Sequence, residues 1–371
     1  MTAIDTTERP LVFIWEVTQA CDLSCDHCRA DAHPARHPDE LSATEAKKLL
    51  AQVRAFGEGQ LVVFSGGDPC KRPDLVDLVE YGTDIGLTIT MTPSGTSELT
   101  ADAIGDLKDA GLKRIALSLD GASVASHDSF RGEQGIFEET MRAARAVRDA
   151  SVPLQINTTV CQRTVGELPA IRNRVRNLDA VLWSVFFLVP VGRGRMLDPV
   201  SPEQSEEVME WLTTVSDEED FGLKTTEAPH YRRVVAQQRA AETPDDARES
   251  EPGSDRGTRR RAGVVAGDGF AFVSHTGDIY PSGFLPQSAG NVRRDDPVER
   301  YRNSPLFQRL RNRDALEGKC GECPFRDVCG GSRSRAFAYT GNPMASDPLC
   351  PYLPPGYDGP LPAQEFSTGS G

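Results

Sequence analysis

The chain has 371 residues, 38% of them hydrophobic and 26% charged, enough for one large or two ordinary domains around a sizeable core. A net charge of −14 argues against a nucleic-acid partner, and no apolar run approaches the length of a membrane span. The polar start has no signal-peptide core, so the expected location is cytoplasmic, where nine cysteines point to metal ligation rather than disulfides. Arginine and aspartate outnumber lysine, a balance that a salt-rich cytoplasm and a GC-rich genome explain equally well.

Residues 1–10 read as a tail. From 11 onward, short β-branched runs alternate with amphipathic helical patterns. Strands are predicted at 11–17, 61–64, 87–92, 114–119, 154–159 and 181–189, and helices at 43–56, 73–84, 100–110, 135–149 and 166–177. Strands separated by helices imply parallel pairing. The fold class is therefore α/β, a partial (β/α)6 TIM-like barrel over 11–217, whose chemistry gathers at the C-terminal strand ends. A helix at 202–216, a strand at 222–226 and a helix at 231–241 follow. Residues 218–262 read as a connecting segment with a charged flexible loop at 242–262. A hairpin at 270–274 and 278–280 opens a small cysteine-rich domain over 263–353, and 354–371 reads as a disordered Pro/Gly tail.

Cys21, Cys25 and Cys28 lie in Cys-Asp-Leu-Ser-Cys-Asp-His-Cys, directly after the first strand. A cubane [4Fe–4S] cluster has four irons and usually four thiolate ligands, so three cysteines leave one iron open to a small molecule. The alternative is a zinc site completed by His27, His33 or His37. Ser65-Gly66-Gly67-Asp68-Pro69 follows the second strand, where glycines let backbone approach a ligand closely. Ser118-Leu-Asp120-Gly121, Arg131-Gly132 and Asn157 add polar groups to the same rim. Cys320, Cys323, Cys329 and Cys350 form a second set, able by spacing to close either a [4Fe–4S] cluster or a structural zinc site. Cys70 and Cys161 have no partner pattern and read as buried bystanders.

With these residues the chain resembles the radical S-adenosylmethionine enzymes, in the subgroup whose C-terminal SPASM/twitch extension holds auxiliary iron–sulfur clusters. The resemblance covers roughly residues 10–353. It implies that Cys21, Cys25 and Cys28 hold the cluster whose open iron binds S-adenosylmethionine. It implies cofactor contacts at His27, Gly66, Gly67, Asp68, Ser118, Arg131, Asn157 and the Leu188 backbone. It also implies reductive cleavage to a 5′-deoxyadenosyl radical, fed by a low-potential donor such as ferredoxin or flavodoxin. Gly277-x4 lands on Ser282 and Cys329-x3 on Arg333, where the two-cluster pattern has cysteines. By the resemblance, one auxiliary cluster is lost and the other, on Cys320, Cys323, Cys329 and Cys350, is complete.

Segments such as Trp15-Glu-Val-Thr18, Cys28-Arg-Ala30 and Ala228-Pro-His-Tyr231 resemble the haem synthases of this family, which oxidatively decarboxylate propionates of iron-coproporphyrin III. A tetra-propionate substrate needs cations, and Arg193, Arg195, His230, Tyr231, Arg232 and Arg233 are the expected contacts. No residue stands out as a general base. One rival is a peptide maturase acting on a precursor peptide, disfavoured because many of those carry a recognition domain ahead of the barrel, and a first strand at about residue 11 leaves no room for one. Another is a non-catalytic iron–sulfur or zinc scaffold, disfavoured by the intact first triad.

Overall fold

The computed structural model describes residues 4–242 and 264–362. Strand β1 (Val12–Thr18) sends Phe13, Trp15 and Val17 into the main core, and Val12, Ile14 and Glu16 to the opposite face. The same alternation holds in β2 (Leu61–Gly66), β3 (Thr88–Met91), β4 (Ile115–Ser118), β5 (Leu154–Val160) and β6 (Leu182–Phe187). Core-side residues such as Phe64, Ile89, Leu117, Ile156 and Trp183 pack under α1 (Ala43–Arg54), α2 (Leu75–Asp84), α3 (Ala101–Asp109), α5 (Ile136–Asp149) and α6 (Leu168–Asn177). Helix starts are written locally. Ser42 and Glu45 form a capping box on α1, and Thr100 caps α3.

The six predicted strands pair in parallel and in sequence order. The sheet extends beyond them at both edges. After α7 (Pro202–Glu218), β7 (Gly222–Thr226) pairs in parallel with β6. Strand β8 (Phe270–Val273) pairs in parallel with β1 and in an antiparallel hairpin with β9 (Asp278–Tyr280), which leads to β10 (Gly290–Asn291). The order is β10-β9-β8-β1-β2-β3-β4-β5-β6-β7, ten strands in one sheet. The hairpin that the sequence assigned to the cysteine-rich domain is thus hydrogen-bonded to the first barrel strand. The parallel register Ile14↔Phe272 places Phe272 on the concave side with Glu16.

Helix α8 (Tyr231–Glu242) comes next in the chain after β7, and the predicted charged loop lies almost wholly outside the described residues. The C-terminal region is helical, with α9 (Pro297–Asn303), α10 (Pro305–Arg311), α11 (Gly318–Gly321) and α12 (Arg333–Thr340). Residues 354–362, expected to be disordered, include a turn closed by Tyr357 N to Pro354 O at 3.1 Å, and 363–371 lie outside the described residues.

Candidate functional site

The loop after β1 carries Cys21, Cys25 and Cys28 and is pinned on several sides. Cys21 N donates to His33 O at 2.9 Å. Thr18 Oγ1 and Gln19 N donate to Glu40 at 2.6 and 3.0 Å. Beneath it lies the end of β2. A Cβ on Gly66, whose φ is +150°, would stand 2.3 Å from Thr18 O, and one on Gly67 2.3 Å from Ala20 O. The two glycines let the two backbones touch, and Gly67 N and Asp68 N donate to Thr18 O and Ala20 O at 2.9 and 2.6 Å. The Gly67 carbonyl accepts from Ser94 Oγ at 3.0 Å, and that hydroxyl lies 3.2 Å from Cys21 Sγ. Asp68 is buried and accepts from Cys70 N and Thr96 Oγ1 at 3.1 and 3.0 Å, and burial raises its pKa. Its carboxylate is spent on the neighbouring turn rather than offered to a ligand.

Two of the other expected cofactor residues, His27 and Arg131, meet at Asp120, a residue of the predicted rim. Asp120 is buried, accepts from Thr159 N at 2.7 Å, and pairs with Arg131 Nη1 at 3.3 Å. His27 stacks on Phe130 with centroids 4.7 Å apart and planes at 12°, its Nε2 3.8 Å from Asp120. Burial pushes the His27 pKa down to about 4, so the ring is neutral at pH 7. Phe130 and Arg131 belong to α4 (Val124–Arg131), a helix where the sequence suggested a loop. Ser118 and Asn157 lie side by side in register on the concave face. The Leu188 backbone is occupied within the protein: its N–H donates to Val160 O at 3.1 Å and its carbonyl accepts from Arg335 Nε at 3.3 Å.

The six expected substrate contacts do not converge. Arg193 clamps the cysteine loop, donating to Cys25 O and Ala32 O, both at 2.9 Å. Arg195 is exposed. His230 is fully buried against Ser205 Oγ at 3.1 Å, and the Tyr231 hydroxyl reaches Leu212 O at 3.4 Å. Arg232 donates to Val328 O at 2.6 Å. Arg233 is buried, forks onto Glu206 at 2.6 and 2.5 Å, and lies 3.9 Å from Cys350 Sγ. Sequence distance hid these roles, because each partner is far away along the chain.

The C-terminal cysteines do converge. Cys320, Cys323, Cys329 and Cys350 line one pocket together with Arg233, Lys319, Gly330 and Gly331. Asp347 N and Gly331 N donate to the sulfurs of Cys320 and Cys329 at 3.5 and 3.4 Å. Arg333, fully buried, lies 3.9 Å from Cys320 Sγ and binds the carbonyls of Pro343 and Ala345. Ser282 donates to Glu227 at 3.2 Å.

Both sites fit the groups that the resemblance implies. Burial pushes the Cys25 thiol up to about 11, Cys329 to about 12 and Cys350 to about 11, so a bound cation is what would draw the protons off. Among the described residues no three His, Cys, Asp or Glu side chains close on the point a single ion would take. By residue type the four C-terminal cysteines lining one pocket can hold a [4Fe–4S] cluster or a zinc ion. Next to the first triad, Arg131 Nε, His27 Nδ1 and Arg193 Nη2 are buried without a hydrogen-bond partner, donors and an acceptor left for a polar ligand.

A family model described as the radical SAM superfamily matches residues 15–170. The chain is 39% identical over 351 residues to an AdoMet-dependent heme synthase of Methanosarcina barkeri, covering 95% of this chain and 99% of that protein. It is 41% identical over 346 residues to the enzyme of the same name from Nitratidesulfovibrio vulgaris, covering 92% of each. Among solved structures it is similar to Streptococcus suis SuiB bound to precursor peptide SuiA, with a TM-score of 0.72 and 16% identity over 93% of this chain and 76% of that one. That likeness concerns the fold alone.

Proposed function

The chain belongs to the radical SAM superfamily, and from that premise we propose that it is a haem synthase, decarboxylating propionates of iron-coproporphyrin III. The observation that carries this reading is about 40% identity along nearly the whole chain to proteins of that name. As a radical SAM enzyme it binds S-adenosylmethionine and a [4Fe–4S] cluster, and that pair supplies a deoxyadenosyl radical able to take a substrate hydrogen. Cys21, Cys25 and Cys28 are the ligands proposed for that cluster. Arg131 is proposed to meet the cofactor carboxylate, with Asp120 holding its guanidinium in place. His27, neutral and stacked on Phe130, is proposed to give the adenine side a flat aromatic wall.

The C-terminal site is proposed to hold one auxiliary [4Fe–4S] cluster on Cys320, Cys323, Cys329 and Cys350. Loss of carbon dioxide after hydrogen abstraction leaves one electron to dispose of. The buried cations Arg233, Lys319 and Arg333 make this site a favourable place for added negative charge. The peptide-maturase reading draws on more distant likenesses, the SuiB fold and PqqA peptide cyclases at 27–28% identity, against about 40% for the haem synthases.

The test is anaerobic. The protein is reconstituted with iron and sulfide, and iron per chain is counted. Dithionite, S-adenosylmethionine and iron-coproporphyrin III are added, and products are followed by mass spectrometry. About eight irons, deoxyadenosine and losses of carbon dioxide are expected, as two clusters of four irons require. Deoxyadenosine formed independently of the porphyrin would sink the substrate. About four irons with zinc retained would overturn the C-terminal assignment.

A further inference from the structure

Two of the segments that resemble the haem synthases meet in space. Glu16, from Trp15-Glu-Val-Thr18, accepts from Arg29 Nη2, from Cys28-Arg-Ala30, at 2.7 Å. The Glu16 carboxylate is buried, and it also accepts from His275 Nδ1 at 2.5 Å. His275 lies in the β8–β9 turn, which the parallel β1–β8 pairing brings to this edge of the barrel. Burial would raise the Glu16 pKa, but the Arg29 charge and the His275 hydrogen bond hold it below the usual carboxylate value. The cluster lies on the concave side, because Trp15, Val17 and Val273 take the core side.

Glu16 spends both oxygens, but the other two members each keep something unused. The Arg29 guanidinium lies over the Phe272 ring, 4.6 Å from its centroid, and its Nε and Nη1 have no hydrogen-bond partner among the described residues. Gly283 leaves the space for it, since a Cβ there would stand 3.1 Å from Arg29 Nε and 3.0 Å from the Phe272 ring. His275 spends Nδ1 on a carboxylate, leaving Nε2 without a partner among the described residues on a side chain 14% exposed. A carboxylate on one ring nitrogen and a vacant second nitrogen is how proteins hold a histidine that ligates a metal. Among the described residues, the other imidazole in contact with this ring is His37, at 5.2 Å, whose Nδ1 accepts from Asp39 N at 3.1 Å.

We propose that Glu16, Arg29 and His275 form the subsite for an iron porphyrin bearing carboxylates: His275 Nε2 ligates the substrate iron and Arg29 binds a propionate. The proposal rests on the haem-synthase reading. It assigns carboxylate recognition to Arg29 in place of the arginines that the structure spends on the cysteine loops. Glu16 is a positioning residue that fixes the tautomer and aim of the ring.

The test uses the full chain and two ligands, ferric coproporphyrin III and metal-free coproporphyrin III. Binding is followed by fluorescence, and iron ligation by the electron paramagnetic resonance and visible bands of an imidazole-bound ferric porphyrin. Wild type is expected to bind both and to show the imidazole signature. His275→Ala is expected to lose that signature and bind the ferric form about tenfold or more weaker, with metal-free binding unchanged and added imidazole restoring the signature. Arg29→Ala is expected to weaken both ligands about tenfold or more. Persistence of the imidazole signature in His275→Ala overturns the ligand assignment while leaving the substrate reading intact. Equal loss of both porphyrins in that variant overturns it in favour of a hairpin-to-barrel strut. Unchanged binding in Arg29→Ala overturns the carboxylate assignment. A wild type that binds neither porphyrin removes the haem-synthase reading, and the subsite with it.

Discussion

At Gly66 and Gly67 the residue scale decides the site. Their lack of a side chain reads in sequence as room for a ligand, but the structure shows backbone in that room, namely Thr18 O and Ala20 O. A methyl group at Gly67 would meet a carbonyl at 2.3 Å, and neither strand end can yield cheaply because both are paired in the sheet. Gly67→Ala therefore pushes the start of the cysteine loop away from β2. The expected outcome is about fivefold to a hundredfold weaker S-adenosylmethionine binding, as clashes of this kind cost about 1–3 kcal/mol. Equilibrium dialysis measures the affinity, and iron at the four C-terminal cysteines stays unchanged. Wild-type affinity in this variant would show that the strand ends are not a rigid seat for the cofactor loop.

At the scale of elements, the cysteine loop is held by a segment far away in the chain. The 3₁₀ turn Gly192–Met196, which follows β6, lays Gly192 against Cys28 O and puts Arg193 on Cys25 O and Ala32 O. Arg193→Ala removes these charge-assisted bonds, worth about 1.5–3 kcal/mol each at most. Its expected effect is faster iron loss from the first site to a chelator, with the C-terminal site retained, read by iron content in wild type and in a Cys320→Ser background. Equal rates in variant and wild type would show the loop stands without the clamp. Sequence periodicity located six barrel strands to within two residues at each end, because alternating burial is written into residues such as Phe13, Trp15 and Val17. The strand at 222–226 was also visible, but its partner β6 was not, since pairing between strands carries no local mark. Helix α4 was missed for a physical reason. It is only eight residues long and its polar members Ser126, His127 and Arg131 are turned toward Glu167 and Asp120 rather than displayed as an amphipathic stripe. The convergence of Cys320, Cys323, Cys329 and Cys350 on one pocket was legible because residue type and spacing are both written in the sequence, whereas an arginine's partner is chosen only by the fold.

Over the whole molecule, one tie between the barrel and the cysteine-rich region is a buried guanidinium. Arg335, fully buried on α12, contacts Asp347 at 3.1 Å through Nη1, Leu188 O at 3.3 Å through Nε, and Glu227 O at 2.6 Å through Nη2. It thus ties the ends of β6 and β7 to Asp347, whose N–H reaches Cys320 Sγ. Arg335→Met leaves Asp347 uncompensated and is expected to cost about 3–5 kcal/mol in urea unfolding. No loss of stability would show that the two regions do not depend on this pair. The same interior makes stability sensitive to acid. Asp120 N donates to His127 Nδ1 at 3.2 Å, so that ring is neutral, and burial pushes its pKa down to about 4. His230 is pushed down to about 3 by burial, against the pull of Asp347. Both sit below the unfolded value of 6.5, so the unfolded chain binds these protons first as pH falls. Stability is then full above about pH 6.5 and declines as pH falls toward 4, by about 1.4 kcal/mol per pH unit for each histidine. Buried carboxylates with lowered pKa, such as Asp347, act only below that window. His127→Asn is expected to reduce the slope of urea stability against pH between 6.5 and 5 by about one histidine's share, while cluster loss affects variant and wild type alike. An unchanged slope would mean that His127 takes up its proton in the folded state as readily as in the unfolded one.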